Sequence, residues 1–262
     1  MSYLFIKLFG APQIDRNDIP VKVDTRKAIA LLAYLALNDQ AHTRDSLAAF
    51  LWPDYDQTRA RAALRRTLST LNKALAGHAL EITRETVRLV EDEGLGVDVV
   101  QFNQKIAAVG SHSHASIEDC PTCLAELTAA VALYQADFMA GFTLRDSVNF
   151  DDWQFFQSES LKRELASALE RLVQIHSVRQ EFETAIAYGR RWLNLDPLRE
   201  EAHQRLMRCY QWAGQRAAAL RQYRECVRIL DEELGVSPLE ETTKLYQSIL
   251  EGQLPPPEPR HV

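Results

Sequence analysis

The sequence predicts a mainly α-helical protein, with a small α+β module at the N-terminus followed by a longer all-α domain of repeated helix pairs. Three observations carry this. Strand-like segments are confined to the first ninety or so residues. From Val99 to Glu251 the apolar residues recur at helical spacing almost throughout. Within that stretch, residues 182–193 and 216–227 resemble each other at an offset of about 34, the period of tetratricopeptide-like helix pairs.

The N-terminal elements follow in order. Residues 3–9, rich in aromatic and β-branched side chains and closed by Gly10 and Pro12, read as a strand, and a short strand pair is expected through Val21 and Val23. From Arg26 the pattern becomes helical: Ile29, Leu32, Leu35 and Ala36 form one stripe, stopped by Asn38-Asp39. Thr43 is placed to cap a second helix through Leu47, Phe50 and Leu51, which must end before Pro53. A third helix is expected from about Thr58 to Ala76, with Leu64, Leu68, Leu71 and Leu75 inward and Gly77 as its cap. Leu80-Glu-Ile82 and Val87-Arg-Leu89 then alternate as a hairpin. Strand, three helices and a terminal hairpin is the order of a winged helix-turn-helix. The boundaries expected are 1–95 for this module, 96–252 for the tetratricopeptide-like domain, and 253–262 for a proline-rich linker or tail. In the helical domain Phe182, Ala185 and Leu193 recur as Arg216, Ala219 and Val227, and breaks fall near residues 110–121, 141–150, 195–198 and at Gly235-Val-Ser-Pro238.

Composition narrows the function. The chain is 46% hydrophobic and 25% charged, as globular proteins are. No stretch approaches a membrane span and Met1–Gly10 lacks a secretory signal, so a cytoplasmic location and no membrane partner are expected. The net charge of −6 conceals an asymmetry: residues 1–90 carry a formal +4 and residues 91–262 a formal −10. An anion-binding module joined to an acidic one fits that division. No phosphate loop, Gly-x-Ser-x-Gly or His-Glu-x-x-His is present, so no enzymatic activity is expected. Glu232-Glu233 and Glu240-Glu241 read as helix-surface charges.

Candidate functional residues lie in three places. On the third helix Arg59, Arg66, Ser69, Thr70 and Lys73 point away from the leucine stripe, with Arg61 and Arg65 on its flank and no acidic residue between Thr58 and Ala76. Such a helix fits the major groove of DNA, and the following hairpin adds Arg84 and Arg88. In the second place, residues 111–123 hold His112, His114, Cys120 and Cys123, two imidazoles and a Cys-x-x-Cys pair of the kind that completes a zinc tetrahedron. The alternatives are a surface loop whose cysteines pack at a helix start, or a dithiol redox pair. The third place is the loop Trp52–Gln57, where Trp52 and Tyr55 offer a protein-contact surface or cover the core. Trp153, Phe155 and Phe156 are expected to pack between domains, and Cys209 and Cys226 within the helical core.

The segment Asp196-Pro-Leu-Arg-Glu-Glu-Ala-His-Gln-Arg-Leu-Met207, with Gly214 to Tyr223, Leu234-Gly-Val-Ser-Pro238 and Thr242-Lys-x-Leu-Tyr246, closely resembles the bacterial transcriptional activator domain of the antibiotic regulatory protein family. The run Ala60-Arg-Ala-Ala-Leu-Arg-Arg66 resembles the recognition helix of that family's OmpR-type winged helix. The resemblance covers residues 3–252. It implies a transcriptional activator that binds double-stranded promoter DNA as a homodimer or in tandem and recruits RNA polymerase through the loop carrying Trp52, Asp54, Tyr55 and Gln57. It carries the DNA role to Arg59, Arg61, Arg65, Arg66, Ser69, Thr70 and Lys73 and a wing role to Arg84 and Arg88. The His/Cys insert departs from the family's minimal pattern and resembles large regulators that continue into an ATPase and further repeats, a continuation that the proline-rich end would suit. The alternative is a helical-repeat scaffold that binds protein without DNA.

Overall fold

The computed structural model describes residues 3–76, 79–90, 94–112, 117–255 and 257. It divides into two compact units, Met1–Gln104 with Ala132–Leu161, and Lys105–Val131 with Lys162–Val262.

The first unit begins with strand β1 (Leu4–Lys7), antiparallel to β2 (Gln13–Arg16), which pairs with β3 (Ile19–Pro20). The second pair of strands falls earlier than Val21 and Val23. Asn17 and Asp18 both adopt positive φ, 47° and 63°, and these two residue types tolerate the left-handed region best, so the tight turn forms there. Strand β7 (Leu95–Val97) lies parallel to β1, an addition that the sequence did not announce, and closes the order β3-β2-β1-β7.

Between them stand α1 (Arg26–Ala36), β4 (His42–Thr43), α2 (Arg44–Leu51), α3 (Gln57–Ala74), and the hairpin β5 (Leu80–Ile82) and β6 (Thr86–Leu89). The hairpin gains β4 as a third strand. Thr25 and Thr43 cap α1 and α2 through their hydroxyls, which accept from Ala28 N and Ser46 N. The core unites Leu31, Leu32, Leu35, Leu47, Leu51, Leu64, Leu68, Leu71 and Val87, all 3% exposed or less. This is the winged helix-turn-helix, and a mainly α protein with a tetratricopeptide-like helical region is the observed fold class.

Residues 132–161 complete this unit. Met139 N donates to Leu8 O and Gly10 N to Asp137 O, extending the end of β1. Ser147 Oγ donates to Phe50 O, and Arg26 Nε to Thr143 O. Trp153 joins Tyr34, Phe50, Phe138 and Phe150 in an aromatic cluster. Its neighbours do not follow: Phe155 and Phe156 are 60% and 68% exposed, because the helix turns them away from the cluster that holds Trp153. Helix α4 (Asp98–Ser111) opens with Asp98, whose buried carboxylate accepts from Leu8 N and Phe9 N at 2.9 Å and from Val99 N at 2.7 Å. Burial pushes its pKa up, against the pull of those N–H groups.

The second unit takes the remainder of α4, most of α5 (Pro121–Leu133), the later part of α6 (Val148–Val178), and α7 (Phe182–Leu195), α8 (Glu200–Trp212), α9 (Arg216–Leu234) and α10 (Glu240–Glu251). Helices α7 and α9 start at the expected offset, and Ala185 and Ala219 are both fully buried. Cys209 and Cys226 sit in this core, where burial pushes the Cys226 thiol up to about 12. Gly235 and Gly252 cap α9 and α10 in left-handed geometry, and the chain leaves the helix before its prolines. Among the described residues no helix is long and apolar enough to cross a membrane.

Candidate nucleic-acid interface

Helix α3 is one residue longer at its start than its hydrophobic pattern implies. Asp56 caps it, its Oδ1 accepting from Arg59 N at 3.0 Å, so Gln57 becomes the first helical residue. At the other end Leu75 is the cap, and Gly77, expected there, lies outside the described residues. The inward side is Ala60, Ala63, Leu64, Thr67, Leu68, Leu71 and Leu75, all buried. Arg59, Arg61, Arg65, Arg66, Ser69 and Lys73 are exposed and Thr70 is half-covered. The leucines that hold the helix to its unit thus leave a continuous cationic face open.

These cations are not equivalent. Arg61 forms a two-pronged pair with Asp45 of α2, which holds the Asp45 carboxyl below its usual range. Arg59 lies over the Tyr55 ring, its guanidinium carbon 3.8 Å from the centroid. Arg88 is paired across the hairpin with Glu81 at 2.6 Å. Arg65, Arg66, Lys73 and Arg84 have no ion pair among the described residues. Arg84 stands on the β5–β6 turn, which Thr83 builds by accepting from Thr86 N at 2.9 Å and Glu85 N at 3.2 Å in place of an Asn-Gly pair.

Arg61, Arg65 and Arg84 converge with Arg44 on a cleft of about 420 Å³, whose acidic members are Asp45 and Glu85. Arg44 was missed in the sequence: at the start of α2, its role becomes visible only once Arg44 N donates to Glu85 O at 2.9 Å and brings helix and turn together. Its Nε has no hydrogen-bond partner among the described residues.

The loop between α2 and α3 needs a correction. Trp52 is only 6% exposed, because its ring closes the core beside Lys27, whose ammonium lies 5.3 Å from the ring centroid. Asp54 and Gln57 are exposed, and Tyr55 is half-buried beneath Arg59.

In the second unit, His112, Cys120 and Cys123 come together and His114 lies outside the described residues. His112 Nδ1 is 3.3 Å from each sulfur. Cys123 N donates to Cys120 Sγ at 3.3 Å, which lowers the Cys120 pKa, while burial pushes the Cys123 thiol up to about 11.

The Asp-Pro-Leu-Arg-Glu-Glu-Ala-His-Gln segment is a packing device in this unit. Glu200 accepts from Leu239 N at 2.9 Å and from the Thr242 hydroxyl at 2.5 Å, so it anchors the start of α10. Gln204 donates to Thr242 Oγ1 at 2.8 Å, and buried His203 bridges Pro197 O and Gln222. A profile of the bacterial transcriptional activator domain matches residues 97–250, a span that includes this network. The chain belongs to that family. Regulatory protein AfsR of Streptomyces coelicolor is 27% identical over 234 residues, which are 85% of this chain and 22% of AfsR; the chain therefore spans about a fifth of that relative. The solved structure of Mycobacterium tuberculosis EmbR in complex with low affinity phosphopeptide has a TM-score of 0.73 at 23% identity, covering 97% of this chain and 67% of that one. At that identity the likeness is one of fold. As a member of the bacterial transcriptional activator domain family, the chain is tied to transcriptional regulation.

Proposed function

We propose that this chain regulates transcription by binding double-stranded promoter DNA, with α3 in the major groove and the β5–β6 turn against the adjacent backbone. The observation that carries the reading is the division of α3 into a buried leucine side and an exposed face of Arg59, Arg65, Arg66, Ser69 and Lys73 with no acid on the helix. Arginine bridges guanine O6 and N7, while lysine and serine hold phosphates, so such a face combines sequence readout with affinity. Asp54 and Gln57 offer the polar contact to RNA polymerase, and the α7–α10 stack offers surface for a second copy or for further domains of a longer regulator. The reading assigns no catalysis and places the chain in the cytoplasm, where promoter DNA is found.

The test is selection of bound sequences from a random duplex pool, followed by a salt titration on the selected DNA. If Arg65, Arg66, Lys73 and Arg84 each neutralise one phosphate, log K falls with log salt at a slope of about −3.6, or roughly 150-fold between 50 and 200 mM. Arg66→Glu should flatten that slope by about 0.9 and weaken binding. No salt dependence, or Arg66→Glu binding as well as the parent, refutes the reading in favour of a protein-binding scaffold.

A further inference from the structure

The cluster at the α4–α5 junction does not belong to the DNA interface, and its chemistry is specific. His112 follows the last turn of α4, with its N–H donating to Ala108 O at 3.1 Å. Cys120 stands immediately before α5, its carbonyl accepting from Leu124 N at 3.1 Å and its sulfur from Cys123 N at 3.3 Å. Cys123 lies one turn into α5, so both sulfurs emerge on the side of the helix that His112 faces. The three donor atoms lie within 4.8 Å of one another, Cys120 and Cys123 being 7% and 1% exposed while His112 is open to solvent.

Zinc–sulfur bonds of about 2.3 Å and zinc–nitrogen bonds of about 2.0 Å at a tetrahedral angle require N···S edges of about 3.5 Å. The observed N···S edges are both 3.3 Å, so each needs to open by only a few tenths of an ångström to admit the ion. Two further features favour a thiolate site. The start of α5 presents the positive end of its dipole to Cys120, and the Cys123 amide already donates to that sulfur, as an outer contact that stabilises a metal-bound thiolate does.

We propose that His112 Nδ1, Cys120 Sγ and Cys123 Sγ form a zinc-binding site that staples the end of α4 to the start of α5, leaving the fourth vertex to water or another donor on the solvent side. Soft thiolates with an imidazole select zinc over magnesium or calcium, which prefer oxygen. The ion would close the loop between the helices without contributing a reaction, and the site stands independently of any DNA role.

Cobalt(II) reports such a site directly. The whole chain, reduced and stripped with a chelator, is titrated with cobalt(II) alone and then with zinc. Expected are one equivalent of cobalt with sulfur-to-metal charge transfer and the intense visible bands of tetrahedral coordination, bleached by zinc. Cys120→Ser and Cys123→Ser should each abolish the charge-transfer band, and His112→Ala should weaken binding at least tenfold, with circular dichroism confirming that the variants are helical. Should a variant unfold, the parent's own spectrum and stoichiometry decide. The proposal is overturned if the reduced parent takes up no metal, if the bands survive in both serine variants, or if the cysteines form only a disulfide and the reduced form ignores cobalt.

Discussion

Asp45 holds Arg61 in a two-pronged pair inside the cleft that also contains Arg65 and Arg84, and the DNA-binding reading makes a quantitative demand of that pair. Both partners are about half exposed, so nothing buries the pair against exchange with a phosphate. Asp45→Asn removes the competing carboxylate and releases Arg61 beside Arg65, Arg66, Lys73 and Arg84, the cations counted in that slope. One more neutralised phosphate steepens the salt slope from about −3.6 to about −4.5, so that the loss between 50 and 200 mM grows from roughly 150-fold to roughly 500-fold. Binding at low salt should tighten, since the variant also removes a negative charge that phosphate must approach. The assay is fluorescence anisotropy on a labelled selected duplex over a salt series, with thermal melting as the control for folding. Asp45→Asn combined with Arg61→Gln should restore the parent slope, because the second change withdraws the released cation. An unchanged slope, or weaker binding by a folded Asp45→Asn protein, would show that Arg61 and its cleft do not face the duplex.

Three further outcomes are expected. Asp98→Asn should destabilise the protein by about 2–4 kcal/mol, because the amide puts an NH2 donor in place of one of the two carboxyl oxygens that accept from the Leu8, Phe9 and Val99 N–H groups. Since burial raises the Asp98 pKa above 3.8, the parent's extra stability from this group is fullest below 3.8 and declines as pH rises through the folded value. Urea unfolding of parent and variant across an acid series should therefore show their difference narrowing with rising pH, and a widening difference contradicts the assignment. Leu68→Ala, at a site 3% exposed behind the cationic face, should cost about 2–5 kcal/mol in urea unfolding while the folded fraction keeps its DNA affinity. Gly189→Ala should destabilise by about 1–3 kcal/mol, since the new methyl would sit 2.8 Å from Leu206 Cδ2 in a packed core, outweighing the roughly 1 kcal/mol that alanine gains in helix propensity. A melting temperature that rises in Gly189→Ala would refute that close approach.

Much of the site was readable because it rests on local periodicity. The leucines at 64, 68, 71 and 75 recur at helical spacing, so the arginines and lysine between them had to emerge on the other side. Thr43 before α2 and the offset that relates α7 to α9 were legible for the same reason: a cap or a repeat is written in neighbouring residues. Position on the exposed face was therefore available without coordinates, but availability of charge was not. Arg61 and Arg88 are engaged by Asp45 and Glu81, residues whose partnership depends on how α2 packs on α3 and on the hairpin register.

By itself the sequence determined the order of the three N-terminal helices and their hairpin, the cationic face of α3 and the residue types able to bind zinc, since each depends on chemistry within a few positions of the chain. Tertiary structure alone decided that Trp52 turns into the core, that β7 runs parallel to β1, that residues 132–161 join the first unit, and that His112 meets two sulfurs. Those outcomes bring together groups distant along the backbone, and their pairing follows from burial and register, which are properties of the packed whole.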